Sequence, residues 1–177
     1  RAVIDALSRW PVRVMFADEV GLGKTFEVAA TVAFMKKYYG VRKVVILTPK
    51  SVLAQWQTEL FQHFGITAWL YDSEKKSYID PLGHMRTISN GFVLSETTPD
   101  TVLLSTQYAR GNKNQGSIFN RADVVLPDLL VVDEAHAARV SKGLDGAPHK
   151  TQAYAMLEEI SGKIPHIILA TATPMQK

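Results

Sequence analysis

The amino-acid sequence predicts an α/β fold in which helices cover both faces of a central, mainly parallel sheet. Five short apolar runs are almost continuous rather than alternating, which is typical of strands buried on both sides. Segments with apolar residues at helical spacing separate these runs, so strands and helices alternate along the chain. A glycine-rich turn joins the first apolar run to the first helical segment. The 177 residues, 46% of them hydrophobic, suit a single domain with its own core.

Strand and helix predictions follow the chain in order. The apolar runs predict strands at residues 12–17, 43–48, 101–105, 129–133 and 166–170, with a weaker sixth strand at residues 67–71. Helical spacing predicts helices at residues 25–39, 51–64 and 151–161. Each helix ends beside a glycine, and Ser51 is the expected N-cap of the second one. Trp56 falls on the apolar side of that helix and is expected to pack in the core.

Two polar segments show no clear period. Residues 72–99 contain prolines and glycines and are expected to mix loop with short helix. Residues 141–150 hold two glycines and a proline, and are expected to form a flexible loop. The short basic pairs at residues 36–37, 42–43 and 75–76 are expected to be surface charge.

Composition narrows the functional classes. Without cysteine the chain forms no disulfide and no thiolate metal site, which suits a cytoplasmic protein. No apolar run approaches the roughly 18 residues that indicate a membrane span. The net charge of +3 is compatible with nucleic-acid binding, but it is too small to establish it.

The turn at residues 18–25 has the composition of a phosphate-binding loop. Glycine-rich backbone before a helix directs N–H groups at an anion, and the helix dipole favours negative charge there. Lys24 would reach the outer phosphates, and the Thr25 hydroxyl would ligate magnesium. Asp18 stands where the usual pattern has its first glycine. The predicted nucleotide contacts are Asp18, Glu19, Val20, Gly21, Leu22, Gly23, Lys24, Thr25 and Phe26.

A second strand supplies the carboxylates that such a site needs. The apolar run at residues 129–133 leads into Asp133 and Glu134, at the strand end where ligands gather in open α/β sheets. Asp133 would hold Mg²⁺ largely through water, and Glu134 would orient and deprotonate an attacking water. Two acids after a strand can also form a solvated turn. Their pairing with Gly-Lys-Thr upstream favours a nucleoside triphosphate site.

These motifs together resemble the first RecA-like lobe of a superfamily-two helicase or translocase, in the branch of Swi/Snf-type ATPases. Residues 17–25 read Ala-Asp-Glu-Val-Gly-Leu-Gly-Lys-Thr, which is that branch's form of the phosphate loop, and residues 133–136 read Asp-Glu-Ala-His. The pair Phe26-Glu27 resembles bacterial members such as the RNA-polymerase-associated ATPase. The resemblance implies a RecA-like P-loop NTPase lobe that uses ATP and Mg²⁺. Its implied catalytic residues are Lys24, Asp133 and Glu134.

Three further motifs extend the resemblance to residue 176. Residues 47–56 and 103–108 resemble motifs that contact the nucleic-acid backbone, and residues 169–176 resemble the motif that couples hydrolysis to nucleic-acid binding. The resemblance implies that His136 communicates with Thr171 or Thr173, and no second histidine or cysteine has zinc-like spacing from it. The implied nucleic-acid contacts are Thr48, Pro49, Lys50, Ser51, Ser105 and Thr106.

Parts of the family pattern are missing from these 177 residues. The adenine-recognising glutamine of the family is not found before Gln55. The second RecA-like lobe, which carries an arginine finger in the family, is not present either, and such fingers contribute ~10³–10⁵ in rate. We therefore expect residues 1–177 to form the single N-terminal lobe of a longer protein and to hydrolyse ATP poorly alone.

The resemblance implies the ATP-binding lobe of an ATP-dependent DNA translocase that moves on duplex DNA or displaces bound proteins. The implied partners are DNA, with duplex favoured, and a second lobe in the same chain, in the bacterial cytoplasm or on the nucleoid rather than at a membrane. A strand-separating helicase, or the motor subunit of a restriction or phage-defence system, has the same motifs. An ATP-gated nucleic-acid-binding module without turnover is a third candidate, which the acid pair Asp133 and Glu134 disfavours.

Overall fold

A computed structural model describes residues 2–17, 23–88, 94–95, 97–111, 116–138, 140–142 and 148–171. Its α-helices are α1 (Ala2–Leu7), α2 (Lys24–Tyr38), α3 (Leu53–Phe64), α4 (Thr106–Arg110) and α5 (Gln152–Ser161). Its first five strands are β1 (Arg13–Ala17), β2 (Val44–Thr48), β3 (Trp69–Asp72), β4 (Ser77–Ile79) and β5 (Met85–Thr87). The others are β6 (Thr101–Ser105), β7 (Leu129–Val132), β8 (Val140–Lys142), β9 (Pro148–Lys150) and β10 (His166–Thr171).

Eight strands form one sheet in the order β1-β10-β7-β2-β6-β3-β4-β5. The first six strands in this order run parallel, and β4 and β5 add an antiparallel edge. All six predicted strands are therefore confirmed within one or two residues at their ends. No helix in the described ranges has the length and apolar character needed to cross a lipid bilayer.

Helices pack on both faces of the sheet, as predicted. All five residues of β2 are buried, and alternate side chains point to opposite faces. Val44 and Ile46 join a core cluster with residues of α1, α2 and α3. Val45 and Leu47 join a second cluster with residues of α4 and α5. The near-continuous apolar runs in the sequence follow from this double burial.

A network of polar contacts links the starts of five parallel strands, and we call it the amino-edge network (Val12, Lys43, Asp100, Asp128 and His166). The backbone N–H of Val12 donates to Nδ1 of His166 at 3.0 Å, and the His166 N–H donates to the Asp128 carbonyl at 3.2 Å. Asp128 Oδ2 accepts from the N–H of Lys43 at 2.8 Å and from that of Arg42 at 2.9 Å. The network thereby fixes neighbouring strands in register.

Lys43 in this network corrects a prediction. Its side chain is buried, and its ammonium donates to the Thr98 carbonyl at 2.6 Å and lies 3.3 Å from Asp100 Oδ1. It is therefore a buried, paired charge instead of the surface charge expected from the sequence.

Segment 72–99 contains two strands where short helix was expected. Asp72 Oδ1 accepts hydrogen bonds from the N–H groups of Glu74 and Lys75, at 2.9 and 3.1 Å, which turns the chain back on itself. Lys76 completes the turn with a left-handed φ of 48°. The returning strand β4 places Tyr78 against Tyr71, with ring centroids 5.4 Å apart. Side-chain capping of the turn therefore favours a hairpin over a helix.

Two other local predictions were wrong. Segment 141–150 was expected to be a loop, but its two ends belong to β8 and β9, which pair antiparallel as a separate two-stranded sheet, and residues 143–147 lie outside the described residues. Ser51 was expected to cap the second helix, but it lies in the 3₁₀ turn Lys50–Val52, and α3 begins only at Leu53. The residue before α3 is Val52, which has no capping side chain. The 3₁₀ turn replaces a side-chain cap because the Val52 N–H donates to the Pro49 carbonyl at 3.1 Å.

Candidate nucleotide site

The predicted site residues follow strands that end at one edge of the sheet. The parallel register pairs Ala17 with Thr171, at the ends of β1 and β10. It also pairs Thr48 with Ser105 at the ends of β2 and β6, and β7 ends between β10 and β2. This carboxyl edge is where open α/β sheets bind ligands.

Helix α2 begins at the phosphate loop with its N-terminus toward this edge. Gly23 precedes the helix with a left-handed φ of 84°, a conformation that side chains disfavour, and its carbonyl accepts from the Glu27 N–H at 2.9 Å. Glycine also offers no side chain to cap the helix. The first N–H groups of such a helix point at whatever precedes it, which suits a phosphate. The predicted contacts at residues 18–22 lie outside the described residues.

The first residues of α2 differ in exposure. Lys24 and Thr25 are half-buried, whereas Phe26 is exposed. The Phe26 ring lies 4.8 Å from the Phe64 ring of α3 and 6.1 Å from that of His63. Phe26 thus joins α2 to α3 through its ring, and a phosphate contact at this position would fall to its backbone.

Asp133 is the most constrained side chain of the edge. Its Oδ1 accepts from the N–H of Glu134 at 2.9 Å. Its Oδ2 accepts from Oγ1 of Thr48 at 3.1 Å and from Nε1 of Trp56 at 2.9 Å. Because each carboxylate oxygen has two lone pairs, Oδ2 is fully used by its two donors, whereas Oδ1 accepts one hydrogen bond and retains capacity for a further ligand. The position and orientation of the carboxylate are set by three separate elements.

Two of these contacts add to the predicted roles. Thr48 is fully buried and its hydroxyl donates to Asp133, and its predicted nucleic-acid contact stays a prediction. Trp56 is buried as predicted, but its indole N–H has a specific acceptor in the site. Sequence reasoning treated Trp56 as an apolar residue only. The available signal was chemical, since a buried indole N–H usually finds a hydrogen-bond partner.

Glu134 and His136 form a second, more exposed group. Glu134 has a left-handed backbone with φ of 53°, and the turn Ala135–Ala137 follows it. Nδ1 of His136 lies 2.9 Å from the Glu134 carboxylate and 3.5 Å from Oγ1 of Thr171. The structure therefore brings His136 to Thr171, one of its two predicted partners. Thr173, the other predicted partner, lies outside the described residues.

The remaining predicted nucleic-acid residues follow β2 and β6, which are adjacent strands. Lys50 follows Pro49 in the 3₁₀ turn after β2, where its exposed ammonium pairs with Glu74 at 2.6 Å. Ser105 caps α4, because its Oγ accepts from the Tyr108 N–H at 3.2 Å, and Thr106 is half-buried. These residues lie at the carboxyl edge of the sheet, and two of them, Lys50 and Ser105, already have local partners. Ser51 belongs to the same turn as Lys50 and is exposed.

Comparison with known proteins identifies the family. A model of the SNF2-related domain matches residues 7–177. This chain belongs to the SNF2-related domain family. The predicted Swi/Snf-type resemblance is thereby confirmed, and the match covers all the described elements from β1 to β10.

Among characterised relatives, the SNF2-related domain is 34% identical over 166 residues to the RNA polymerase-associated protein RapA of Sodalis glossinidius (strain morsitans). It is also 34% identical over 164 residues to RapA of Yersinia pestis (strain Pestoides F). Each match covers 93% of this chain but only 15% of the relative. The chain thus corresponds to a small part of these proteins.

Solved structures confirm the RecA-like fold of the SNF2-related domain. The Sulfolobus solfataricus SWI2/SNF2 ATPase core in complex with dsDNA superposes with a TM-score of 0.64 at 18% identity, covering 98% of this chain and 30% of that chain. A nuclease-deletion mutant of the Type ISP restriction-modification enzyme LlaGI, in complex with a DNA substrate mimic, gives a TM-score of 0.53 at 17% identity. That match covers 99% of this chain and 17% of LlaGI. At these identities the likeness concerns the fold alone.

Proposed function

We propose that this domain is the ATP-binding lobe of an ATP-dependent DNA translocase of the Swi/Snf type. The observation that carries the proposal is the carboxylate of Asp133, which three donors orient at the sheet edge where α2 begins. Membership of the SNF2-related domain family supports the use of ATP. Energy from hydrolysis would move the full protein along duplex DNA or displace proteins bound there.

The residues at the edge divide the chemistry among them. ATP would lie with its phosphates at the N-terminus of α2, where Lys24 balances their charge. Glu134 would orient a water in line with the γ-phosphate and accept its proton, as the water oxygen bonds to the γ-phosphorus and the bond from that phosphorus to the bridging oxygen breaks. His136, 2.9 Å away, would hold the Glu134 carboxylate in place.

The donor set at this edge fits Mg²⁺. Asp133 offers carboxylate oxygens, and Thr25 offers a hydroxyl, which are the hard oxygen ligands that Mg²⁺ prefers alongside several waters. In the described ranges no cluster of three His, Cys, Asp or Glu residues forms a complete metal cage. A magnesium ion shared with the nucleotide needs no such cage. When bound, the ion would neutralise charge on the outer phosphates.

Duplex DNA is the polymer we propose for the full protein. Two similar structures, the SWI2/SNF2 core and LlaGI, are complexes with dsDNA and with a DNA substrate mimic. Here Lys50 and Ser51 are exposed after β2 and would face the DNA backbone, and Ser105 and Thr106 lie at the end of the adjacent strand β6, where a contact would fall to their backbone. A second lobe in the same chain would close on the nucleotide and supply the arginine finger. We place the protein in the bacterial cytoplasm.

The test uses the full-length protein. We expect duplex DNA to stimulate its ATPase, and Glu134→Gln to lower the stimulated rate at least ~100-fold, because it removes the general base. Binding of a fluorescent ATP analogue should persist in this variant, since glutamine keeps the size of the side chain. Unchanged turnover in Glu134→Gln would show that Glu134 is not the catalytic base. An absence of any turnover in the parent protein would favour a binding module gated by ATP.

A strand-separating or restriction-type motor is the competing enzyme function. The fold similarity to LlaGI keeps it in view. Displacement of a triplex-forming strand from duplex DNA reports translocation without unwinding, whereas a forked substrate reports strand separation. We expect triplex displacement and an intact fork. Efficient opening of the fork would favour a strand-separating helicase over a translocase.

A further inference from the structure

Residues on both sides of the turn after β2 donate hydrogen bonds to the same oxygen atom, Oδ2 of Asp133. The turn at residues 49–52 carries Lys50 and Ser51, which we propose as DNA contacts. Thr48, immediately before it, donates to Oδ2 of Asp133 at 3.1 Å. Trp56, in the first turn of α3 after it, donates to the same Oδ2 at 2.9 Å. The proposed DNA contact is therefore bracketed by two donors to the proposed magnesium ligand.

The bracket is rigid. The Thr48 and Trp56 side chains are both buried, and the Val52 N–H donates to the Pro49 carbonyl at 3.1 Å, which closes the turn between them. The Asp133 N–H also donates to the Leu47 carbonyl at 2.8 Å, so the acid is fixed to β2 through its backbone as well. A displacement of the turn that moves Thr48 or Trp56 relative to β7 therefore changes at least one of these bonds.

Trp56 has a polar function that core packing does not explain. A phenylalanine would fill much of the same space between α3 and the sheet, but it has no N–H for Asp133. Trp56 and Asp133 are 77 residues apart in the sequence, so this hydrogen bond is a long-range contact. Hydrogen bonds of this kind weaken steeply as their geometry is distorted, so a small shift of α3 would reorient the carboxylate.

We infer that Thr48 and Trp56 are positioning residues that couple DNA binding at the 49–52 turn to nucleotide and magnesium binding at Asp133. The inference rests on the proposed function and adds a physical path for the coupling. DNA phosphates would bind to Lys50 and Ser51, and this binding would shift the turn. The two donors would transmit that shift to Oδ2, and with it the carboxylate's orientation toward Mg²⁺. By linkage, bound Mg²⁺–nucleotide would change DNA affinity by the same factor.

The experiment measures this coupling as a ratio of affinities. Full-length protein carrying Glu134→Gln, which suppresses turnover, is titrated with a fluorescent ATP analogue and Mg²⁺, with and without saturating duplex DNA. In this parent we expect DNA to change the analogue affinity about fivefold or more. Adding Trp56→Phe should bring the ratio close to one, while DNA affinity without nucleotide stays at the parent value. Thr48→Val, which removes the other donor at nearly constant volume, should also reduce the ratio.

Trp69→Phe is the matched control, because Trp69 lies on β3, on the far side of β6 from β2. The same replacement there should leave the ratio at the parent value. Thermal unfolding of each variant identifies any that fails to fold, and Thr48→Val then decides the result if Trp56→Phe is lost.

Three outcomes would contradict the inference or its basis. A parent ratio retained in both Trp56→Phe and Thr48→Val overturns the inference. A parent that binds the analogue and DNA with no effect of one on the other overturns it as well. A parent that binds no ATP analogue overturns the proposed function itself.

Discussion

The two edges of the sheet use polar residues in different ways. At the amino edge, Lys43, Asp128 and His166 each form hydrogen bonds to residues beside a neighbouring strand, and Lys43 and His166 are buried. At the carboxyl edge, Asp133 is held by three donors, but Glu134 and His136 remain partly exposed. Polar groups of the first edge are satisfied by folding, whereas those of the second retain capacity for a ligand. We therefore propose that one edge serves stability and the other serves chemistry.

The sharpest test of this division is Asp133→Asn at the carboxyl edge. The change keeps the size of the side chain but removes the charge that would hold Mg²⁺. We expect DNA-stimulated ATPase of the full-length protein to fall at least ~100-fold, in line with the loss of a key electrostatic contact. The midpoint of thermal unfolding should fall only moderately, because asparagine keeps one of the two acceptor oxygens that hold the Asp133 donors. A large fall in that midpoint with retained turnover would assign Asp133 to stability and erase the contrast between the edges.

Asp128→Ala is the counterpart at the amino edge. It removes the acceptor of the Arg42 and Lys43 N–H groups. Hydrogen bonds to a charged group contribute about 1.5–3 kcal/mol, and we expect the free energy of unfolding to fall by about that amount. ATP affinity at a temperature where the protein is folded should not change. Asp128→Asn, which keeps one oxygen, is the control and should lose less. A weakened ATP affinity in Asp128→Ala would mean that the edges are not independent.

His166 predicts how the stability of the amino edge depends on pH. Burial lowers the pKa of His166 from 6.5, with nearby Asp128 opposing and Arg13 adding to the shift. The unfolded chain therefore takes up a proton first as pH falls. The His166 contribution is complete above pH about 6.5 and is lost progressively below it. His166→Asn keeps an acceptor for the Val12 N–H but does not titrate.

Chemical denaturation between pH 7.5 and 5 is the measurement for His166. The difference in unfolding free energy between His166→Asn and the parent should shift in favour of the variant as pH falls. A difference that is constant with pH would show that folding leaves the pKa of His166 unchanged.

The smallest expected effect concerns Lys50 and Glu74, whose pair is exposed. Solvent screens an exposed ion pair, so Glu74→Gln should raise duplex DNA affinity only a few-fold at low salt, by leaving Lys50 available for phosphate. Lys50→Ala should lower DNA affinity and reduce the slope of log affinity against log salt by about one. Lys163→Ala, on an exposed lysine bonded to Asn120, is the control. Equal effects of Lys50→Ala and Lys163→Ala on DNA affinity would show that the 49–52 turn is not part of the DNA-binding surface.

Local sequence signals predicted most of the fold and part of the site. The apolar runs, Gly23 before α2 and the acids after β7 are properties of a few consecutive residues. Asp72 could have indicated a hairpin, because a side-chain acceptor two residues before Glu74 is a turn signal in its own right. The pairing of β3 with β4 then depends on the burial of Tyr78 against Tyr71, which is a tertiary contact.

Long-range partners explain the failed prediction for Lys43 and the contacts that were not predicted. Lys43 reads as surface charge until Asp100 and the Thr98 carbonyl are placed beside it. Thr48 and Trp56 lie 85 and 77 residues from Asp133, and no periodic pattern reports that they share one of its oxygens. Sequence patterns assign a side chain to the core or the surface. They do not show which buried polar atoms meet.

β1 is the outermost strand on one side of the sheet, which has a consequence for folding during synthesis. Its neighbour is β10, and the bond from Val12 to His166 spans 154 residues. A ribosome adding about 5–20 residues per second would complete β10 roughly 8–30 seconds after β1. Until then β1 lacks the strand that it pairs with in the folded domain. We therefore expect the proposed nucleotide site to form only after β10 has been made and inserted between β1 and β7.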